Sequence, residues 1–407
     1  MEADEFVYPD YDGGTIANIP STVAALLGAP FTGLPPLKKR FWQPLVGDVQ
    51  RVVILIVDAL GVNTLSMVPD LQPLRVRAAV DQCICSVFPS TTVAALSSIW
   101  TGLAPVQHGM VGLNLFFPEQ AVLGQMLTLS PHFSHVPDQL VQLGLEPQTF
   151  LSGTGVAEQF GRANIRTHAF KSYAFIDSPL SRMYGRGSTE NHAIVTAADL
   201  IWQLRQVLED TAGESLYAVA YWHAVDTLSH RYGYDHPAVR AEVRALLHLL
   251  QHEFWRLLSP AARAGTVFIM TADHGQINTP PRQEIHLTDH PHLQELLLMR
   301  PAGEPRAVYL YARQGAQAAV LDYLHEHLSH ALWALSREEA LQKGLFGPPP
   351  YAAAATQRLG DVIAIMRGGY VLLSPDEVAE GKQMSGRHGS MTAAEMEVPW
   401  LGFRLDA

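Results

Sequence analysis

Three aspartates and three histidines are the residues of this chain best suited to chemistry. Each aspartate ends or closely follows an apolar run: Arg51–Val57 delivers Asp58, Leu216–Trp222 leads through His223 to Asp226, and Thr266–Ala272 delivers Asp273. His230 stands four residues after Asp226, His274 directly follows Asp273, and His388 sits in the late Gly-flanked loop Ser385–Ser390. A single Asp at a strand end is usually a turn former or a helix cap. Three of them, two with a His close by, make six carboxylate and imidazole ligands without thiolate, a set that suits two divalent ions, zinc foremost and manganese as the other candidate. Two such ions about 4 Å apart clamp the attacking and leaving oxygens of an in-line displacement at phosphorus.

A second stretch with chemical content is Phe88–Val93, where Ser90, Thr91 and Thr92 crowd the start of a helix. Unpaired N–H groups and the helix dipole at such a start favour an anion such as phosphate. A Pro-Ser-Thr-Thr turn also caps a helix without doing any chemistry. The six ligands favour the chemical reading, since a hydroxyl placed on a metal loses its proton near neutral pH and needs no neighbouring base. Spacing alone does not choose among the three hydroxyls.

The elements that must hold these groups follow from hydrophobic pattern. A continuous β-branched run such as Arg51–Val57 predicts a parallel strand buried on both faces. Residues 216–222 and 266–272 repeat the pattern, helical periodicity covers 137–145, 193–209 and 238–258, and a short strand is expected at 148–152. Such alternation predicts an α/β fold, a doubly wound and mostly parallel central sheet with helices on both faces. In that architecture ligands gather at the carboxyl ends of the strands, where the three aspartates fall. Later segments read as strand 306–311, helix 314–328, and strands 361–366 and 398–403. The expected organisation is an N-terminal arm over 1–50, with a short helix at 21–27 and a Pro-rich passage, then a catalytic domain over 51–404. Cap insertions are expected around 168–192 and 278–351.

With 407 residues, 48% hydrophobic and 16% charged, the chain supports a large core. Its net charge of −11, with no basic run longer than Lys38-Lys39-Arg40, argues against a nucleic-acid polymer as partner and leaves a small phosphorylated substrate held through metal ions. The acidic start Met1–Glu5 lacks the basic and apolar regions of a secretory signal, and no apolar segment is long enough to span a bilayer, so a cytoplasmic protein is expected. Nothing specifies an oligomeric state. Cys83 and Cys85 are the only cysteines and are expected to be buried structural thiols.

The set Asp58, Phe88–Thr92, Thr101–Gly109, Asp226 with His230, Asp273–Gly275 and Gly386–Gly389 resembles the alkaline phosphatase superfamily. Within it the chain is most similar to the type I phosphodiesterase/nucleotide pyrophosphatase family, in that family's motif order from about residue 51 to 404. The resemblance implies an alkaline phosphatase-like fold with Thr92, three residues after Pro89, as nucleophile. It implies one metal held by Asp58, Asp273 and His274 with Thr92, the other by Asp226, His230 and His388, and a covalent phospho-threonine intermediate. It further implies an Asn for a non-bridging phosphate oxygen five residues after His108; Leu113 stands there, and Asn114 one place later is the candidate. Val93 departs from the aromatic residue that nucleotide-cleaving relatives carry after the nucleophile, and no sulfatase signature follows Cys85 or Ser86.

The expected activity is therefore two-metal hydrolysis of phosphodiester or pyrophosphate bonds in a small molecule. Phosphomonoester or phosphonate hydrolysis, and phosphometabolite binding without catalysis, are the alternatives. Arg162, Arg166, Arg182 or Arg186 could reach in from a cap to grip a monoester. The histidines of Glu284–His292 read as a loop near the site mouth, and His223 as either orienting a ligand or packing beside Trp222.

Overall fold

In strand β1 (Arg51–Val57) all seven residues are buried, as the unbroken apolar run requires. Each Val, Ile or Leu so buried contributes about 2 kcal/mol of hydrophobic stabilisation. The computed structural model describes residues 5–134, 136–375, 377 and 384–407, so residues 1–4 of the expected arm lie outside the described residues. Six further strands join β1: β2 (Val80–Cys85), β3 (Arg166–Ser172), β4 (Glu190–Ile194), β5 (Leu216–Trp222), β6 (Thr266–Thr271) and β7 (Glu397–Arg404). Their order is β2-β7-β6-β1-β5-β3-β4. Strands β6, β1, β5, β3 and β4 pair in parallel, while β7 runs antiparallel between β2 and β6.

Register decides where the chemistry goes. Val57 lies opposite Trp222, and Ile56 opposite Thr271, so the residues that follow β1, β5 and β6 leave the sheet along one edge. At the other end Arg51 is fully buried and donates to the carbonyls of Leu208, Ala261, Ala262 and Ala264 at 2.8–2.9 Å. The flanking helices form for ordinary reasons. Ala197–Asp210 buries Leu200, Ile201, Leu204 and Leu208 on one stripe, and the Thr196 hydroxyl caps its start by accepting from the Asp199 N–H at 3.1 Å.

Several expectations give way to local chemistry. The strand expected at 148–152 is a helical turn, Pro147–Phe150, because a proline at the first helical position has its φ preset and no N–H to leave unpaired. Residues 137–145 form only the short 3-10 helix Gln139–Leu143, and the helix expected over 238–258 passes from Pro237–Leu249 into a π-helical stretch, Leu250–Trp255. The segment 168–192 begins in β3 and ends in β4, so only the crossover between them, with the helix Pro179–Tyr184, stands outside the sheet. Cys83 is exposed and Cys85 half-buried, against the expectation of buried thiols, because β2 is an edge strand.

A second seven-stranded sheet was not foreseen. Strands Asn114–Phe117, Val122–Gln125 and Ser130–Pro131 join Ala302–Glu304, Ala307–Leu310, Leu332–Ser336 and Val362–Met366, all antiparallel. The two groups meet at the pairing of Gly303 with Asn114. Part of the arm supports the hydroxyl-rich stretch: Gly14 O accepts from the Cys85 N–H at 2.9 Å, and the Tyr11 hydroxyl accepts from the Phe88 N–H at 3.3 Å. No helix among the described residues is long and apolar enough to cross a membrane.

The second sheet is tied to the loop behind the strand ends by a buried ion pair. Arg306 donates to both carboxylate oxygens of Glu395 at 2.6 and 2.8 Å, both side chains being fully buried, and Glu395 also accepts from the Ser390 N–H and the Thr392 hydroxyl. Arg306→Met leaves that carboxylate buried without its partner and is expected to cost about 3–5 kcal/mol. A fall in the urea midpoint at unchanged slope would show it; an unmoved midpoint would contradict the assignment.

Candidate active site

The three hydroxyls of the turn, equivalent in sequence, are separated by the fold. Ser90 is fully buried and donates to Ser390 O at 2.6 Å, while Thr91, 2% exposed, is turned to the buried carboxyl of Glu304. Thr92 begins helix α1 (Thr92–Thr101), and its Oγ1 lies 3.1 Å from His274 Nε2. The Thr91 side chain makes no capping hydrogen bond at the start of α1, so among the described residues its positive end stays open.

Asp58 directly follows β1, and Asp273 and His274 follow β6. Asp226 and His230 sit one turn apart on helix α2 (Ala224–Tyr232), which follows β5 and presents them on one face. His388 arrives from a loop laced to the turn: Gly389 N–H donates to Ser90 Oγ at 3.2 Å, and Ser90 N–H to Gly389 O at 3.3 Å. The structure thus brings all six expected ligands and Thr92 together. Five of them form two adjoining groups that share His274, namely Asp58, Asp273, His274 and Asp226, His274, His388, with ligand atoms within 4.8 Å of one another in each, and His230 stands beside the second group. His230 Nε2 and His388 Nε2 lie 3.2 and 3.7 Å from Asp226 Oδ1. His274 Nε2 lies 3.5 Å from Asp58 Oδ1 and 3.6 Å from Asp273 Oδ2.

The hydrogen bonds assign the protons on the rings. His230, His274 and His388 each direct Nδ1 at a backbone carbonyl, of Gly386, Gly275 and Ser90, at 2.8, 3.0 and 3.0 Å. With Nδ1–H as donor, each Nε2 is a lone pair facing carboxylate oxygen. Asp58 Oδ1 and Asp273 Oδ2 are buried and have no hydrogen-bond partner among the described residues. Burial, and then the charges of Asp273 and Asp226, push the Asp58 carboxyl well above its ordinary pKa. Burial and the two other imidazoles push His388 well below its own, into the neutral form that ligates. Lone pairs aimed at orphaned carboxylate oxygens fit a divalent cation, and the imidazole and carboxylate donors fit a metal of borderline character.

Supporting residues complete the centre. The Tyr221 hydroxyl donates to Asp58 Oδ2, Gln276 Nε2 donates to Asp226 Oδ1 at 2.7 Å, and Asp273 Oδ1 accepts from the N–H groups of Ala59 and His274 at 3.2 and 3.0 Å. Ala59 adopts φ 59°, a left-handed conformation that costs a non-glycine residue about 1–3 kcal/mol and here turns its N–H toward Asp273. Gly275 is required by close approach, since a Cβ there would meet Ala394 O at 2.1 Å. Sequence reading missed Tyr221 and Gln276; Gln276 lay next to the Asp-His-Gly motif, whereas Tyr221 was hidden inside a strand.

Two cavities border Thr92 and Asp226. One, of about 420 Å³, has a polar wall that includes Asn114, His132, Glu304 and His388. The other, of about 590 Å³, borders Asp58 and is lined by Leu96, Tyr173, Phe175, Leu180 and Tyr221. Asn114 is 9% exposed; its amide donates to Gly303 O at 3.3 Å, and its oxygen lies 3.0 Å from His132 Nδ1. Glu304 was not foreseen, and burial pushes its carboxyl up to about 8. His223 borders the larger cavity and packs edge-on against Phe175, with no hydrogen bond to a ligand.

Other candidates fall elsewhere. Arg166 pairs with Glu190 and Glu214, Arg182 with Asp138, and Arg186 donates to Gln148 O and Gly153 O, while Arg162 is exposed; none lines either cavity. His286 faces Glu284, His290 bonds Tyr323, and His292 is exposed, so no metal grouping of described residues forms in that loop. His168, Glu190 and His192 cluster on β3 and β4, where His168 Nδ1 and His192 Nε2 lie 3.0 Å apart with nearly parallel rings and their facing nitrogens spent on each other.

A model of the family described as type I phosphodiesterase / nucleotide pyrophosphatase matches residues 52–391. No curated protein matches the chain. Among solved structures the chain is similar to murine ectonucleotide pyrophosphatase / phosphodiesterase 5, at 18% identity and TM-score 0.66 over 87% of this chain and 88% of that one. An inactive variant of the murine protein in complex with AMP gives 18% identity and TM-score 0.62 over the same shares. Phosphonoacetate hydrolase from Sinorhizobium meliloti 1021, in complex with phosphonoformate, gives 17% identity and TM-score 0.62 over 86% of this chain and 89% of that one. At these identities the likeness is one of fold.

Two separate ligand groups predict separable losses of bound metal. Asp226→Asn or His388→Ala is expected to remove about one equivalent of divalent metal per chain, His274→Ala about one equivalent from the other group, and the double variant Asp226→Asn/His274→Ala both, with Asn114→Ala removing none. Metal analysis of the purified variants decides this, and full occupancy in Asp226→Asn would overturn the ligand set.

Proposed function

The chain belongs to the type I phosphodiesterase / nucleotide pyrophosphatase family, and from that premise we propose that it hydrolyses a phosphodiester or pyrophosphate bond in a small organic substrate. Thr92 is the nucleophile in this reading. Asp58, Asp273 and His274, with Thr92, would hold one divalent ion, and Asp226, His230 and His388 the other, zinc suiting the donors best and manganese next. The observation that carries the proposal is the position of Thr92: its hydroxyl lies 3.1 Å from His274 Nε2, where two cavities adjoin. A phosphoryl group seated there has room for an organic substituent in each cavity, as a diester or pyrophosphate demands.

Bound in these groups, the ions would supply Lewis-acid stabilisation of charge on the phosphoryl oxygens and lower the pKa of the Thr92 hydroxyl. The chain does the rest. Thr92 Oγ1 bonds to phosphorus as the bond to the leaving oxygen breaks, and water then cleaves phospho-Thr92 to restore the hydroxyl. The open N–H groups of α1 face the phosphoryl oxygens, and the second N–H of the Asn114 amide, the first being given to Gly303 O, is free to join them. Tyr221 and Gln276 keep the carboxylates oriented while charge moves.

A second reading, phosphonate hydrolysis, draws on the shared fold with phosphonoacetate hydrolase. The apolar lining of the larger cavity favours the diester instead, because a small dianion leaves that space unfilled. Metal-loaded protein is expected to turn over an aryl phosphodiester faster than the aryl monoester or phosphonoacetate, and Thr92→Ala to lose about a thousandfold or more in kcat with its metal retained. Steady-state rates on the three compounds test this, and wild-type turnover by Thr92→Ala would remove the nucleophile assignment.

A further inference from the structure

Arg387 lies directly before His388 and lines the polar cavity with Asn114, His132 and Thr92. Among the described residues lining the two cavities it is the one arginine or lysine. Its backbone is fixed relative to the ligands, since Arg387 pairs with Ile277, Gly386 with Asn278, and Gly386 O accepts from His230 Nδ1. Its side chain is half-buried, yet among the described residues the guanidinium makes no hydrogen bond and no ion pair.

Other buried arginines behave differently. Arg51 donates to four carbonyls, Arg306 to Glu395 and two carbonyls, and Arg358 to Gly109 O. Burial lowers the pKa of Arg387, and the charges of Glu377 and Glu284 act on it without forming an ion pair. A half-desolvated guanidinium with its donors unspent, turned to a polar cavity, is completed by an anion, and its planar fork suits a carboxylate or a phosphate.

We propose that Arg387 is a specificity-determining residue whose guanidinium receives a second anionic group, carboxylate or phosphate, on the substrate arm that occupies the polar cavity. The inference rests on the phosphoryl-transfer reading above, which seats the scissile phosphoryl group at Thr92 and so makes an anion at Arg387 a separate part of the substrate. It also divides the two cavities by chemistry, one for an uncharged organic group and one for a charged arm.

The test compares three p-nitrophenyl substrates on metal-loaded protein: the methyl phosphodiester, the carboxymethyl phosphodiester and the p-nitrophenyl ester of pyrophosphate. Wild type is expected to favour one or both anionic arms through KM, and whichever is favoured identifies carboxylate or phosphate as the group bound. Arg387→Gln is expected to raise KM for the favoured substrate about tenfold or more, with a much smaller effect on the methyl diester, and Arg387→Lys to recover part of the loss as a point charge. Equal losses on all three substrates would place Arg387 on the scissile phosphoryl group itself and overturn the proposal, as would an unchanged preference. Calorimetric titration with phosphonoacetate and methylphosphonate separates this inference from the catalytic reading. A wild-type advantage for phosphonoacetate that Arg387→Gln erases supports the anion site even in a protein that turns over none of the esters, and equal binding by both proteins rejects it.

Discussion

Mutual repulsion among desolvated carboxylates is the constraint to which the rest of this structure answers. Asp58 and Asp273 are buried side by side at the ends of β1 and β6, with Asp226 close by on α2, and unpaired oxygens of the first two face imidazole lone pairs. Such an arrangement is costly by itself, and it persists because the scaffold over-determines it. Two in-register parallel strand pairs set the aspartates' spacing, Tyr221 and Gln276 occupy particular oxygens, and three backbone carbonyls orient the rings. A divalent cation held there would relieve the repulsion, which would make metal binding and the integrity of this end of the sheet two aspects of one equilibrium.

The remainder of the fold keeps that centre rigid. Ser90 is used structurally, bonded into the loop of His388, and this leaves Thr92 to face the ligands from the start of a buried helix. The buried pair of Arg306 with Glu395 couples the second sheet to the segment whose backbone receives Gly275. Strain at Ala59 and close approach at Gly275 are tolerated within this framework, as expected where geometry serves chemistry more than stability.

The second sheet gives the centre its directionality. It brings Asn114 and Glu304, on strands far apart in sequence, to one wall, while the crossover between β3 and β4 and the loop after Gln125 supply the aromatic and aliphatic wall of the other cavity. In the proposed reaction a metal cluster alone would polarise any phosphoryl group, so discrimination among substrates would fall to these walls.

By itself the sequence determined the core of the fold and singled out the six candidate ligands that the structure brings together, because both depend on short-range patterns. Unbroken apolar runs make buried parallel strands, and an acid at the end of each is carried to the same edge by the right-handed connections such strands require. Tertiary structure decided what pattern cannot encode. It separated Thr92 from Ser90 and Thr91, which are alike in type and adjacent in spacing and differ only in what lies across from them. It made a helical turn of 147–150, an edge strand of the cysteines, and a second sheet from segments joined at Gly303 and Asn114. It also fixed which arginines are spent on carboxylates and carbonyls and which is left lining the polar cavity, since a side chain's partners depend on contacts between distant parts of the chain, which local periodicity does not record.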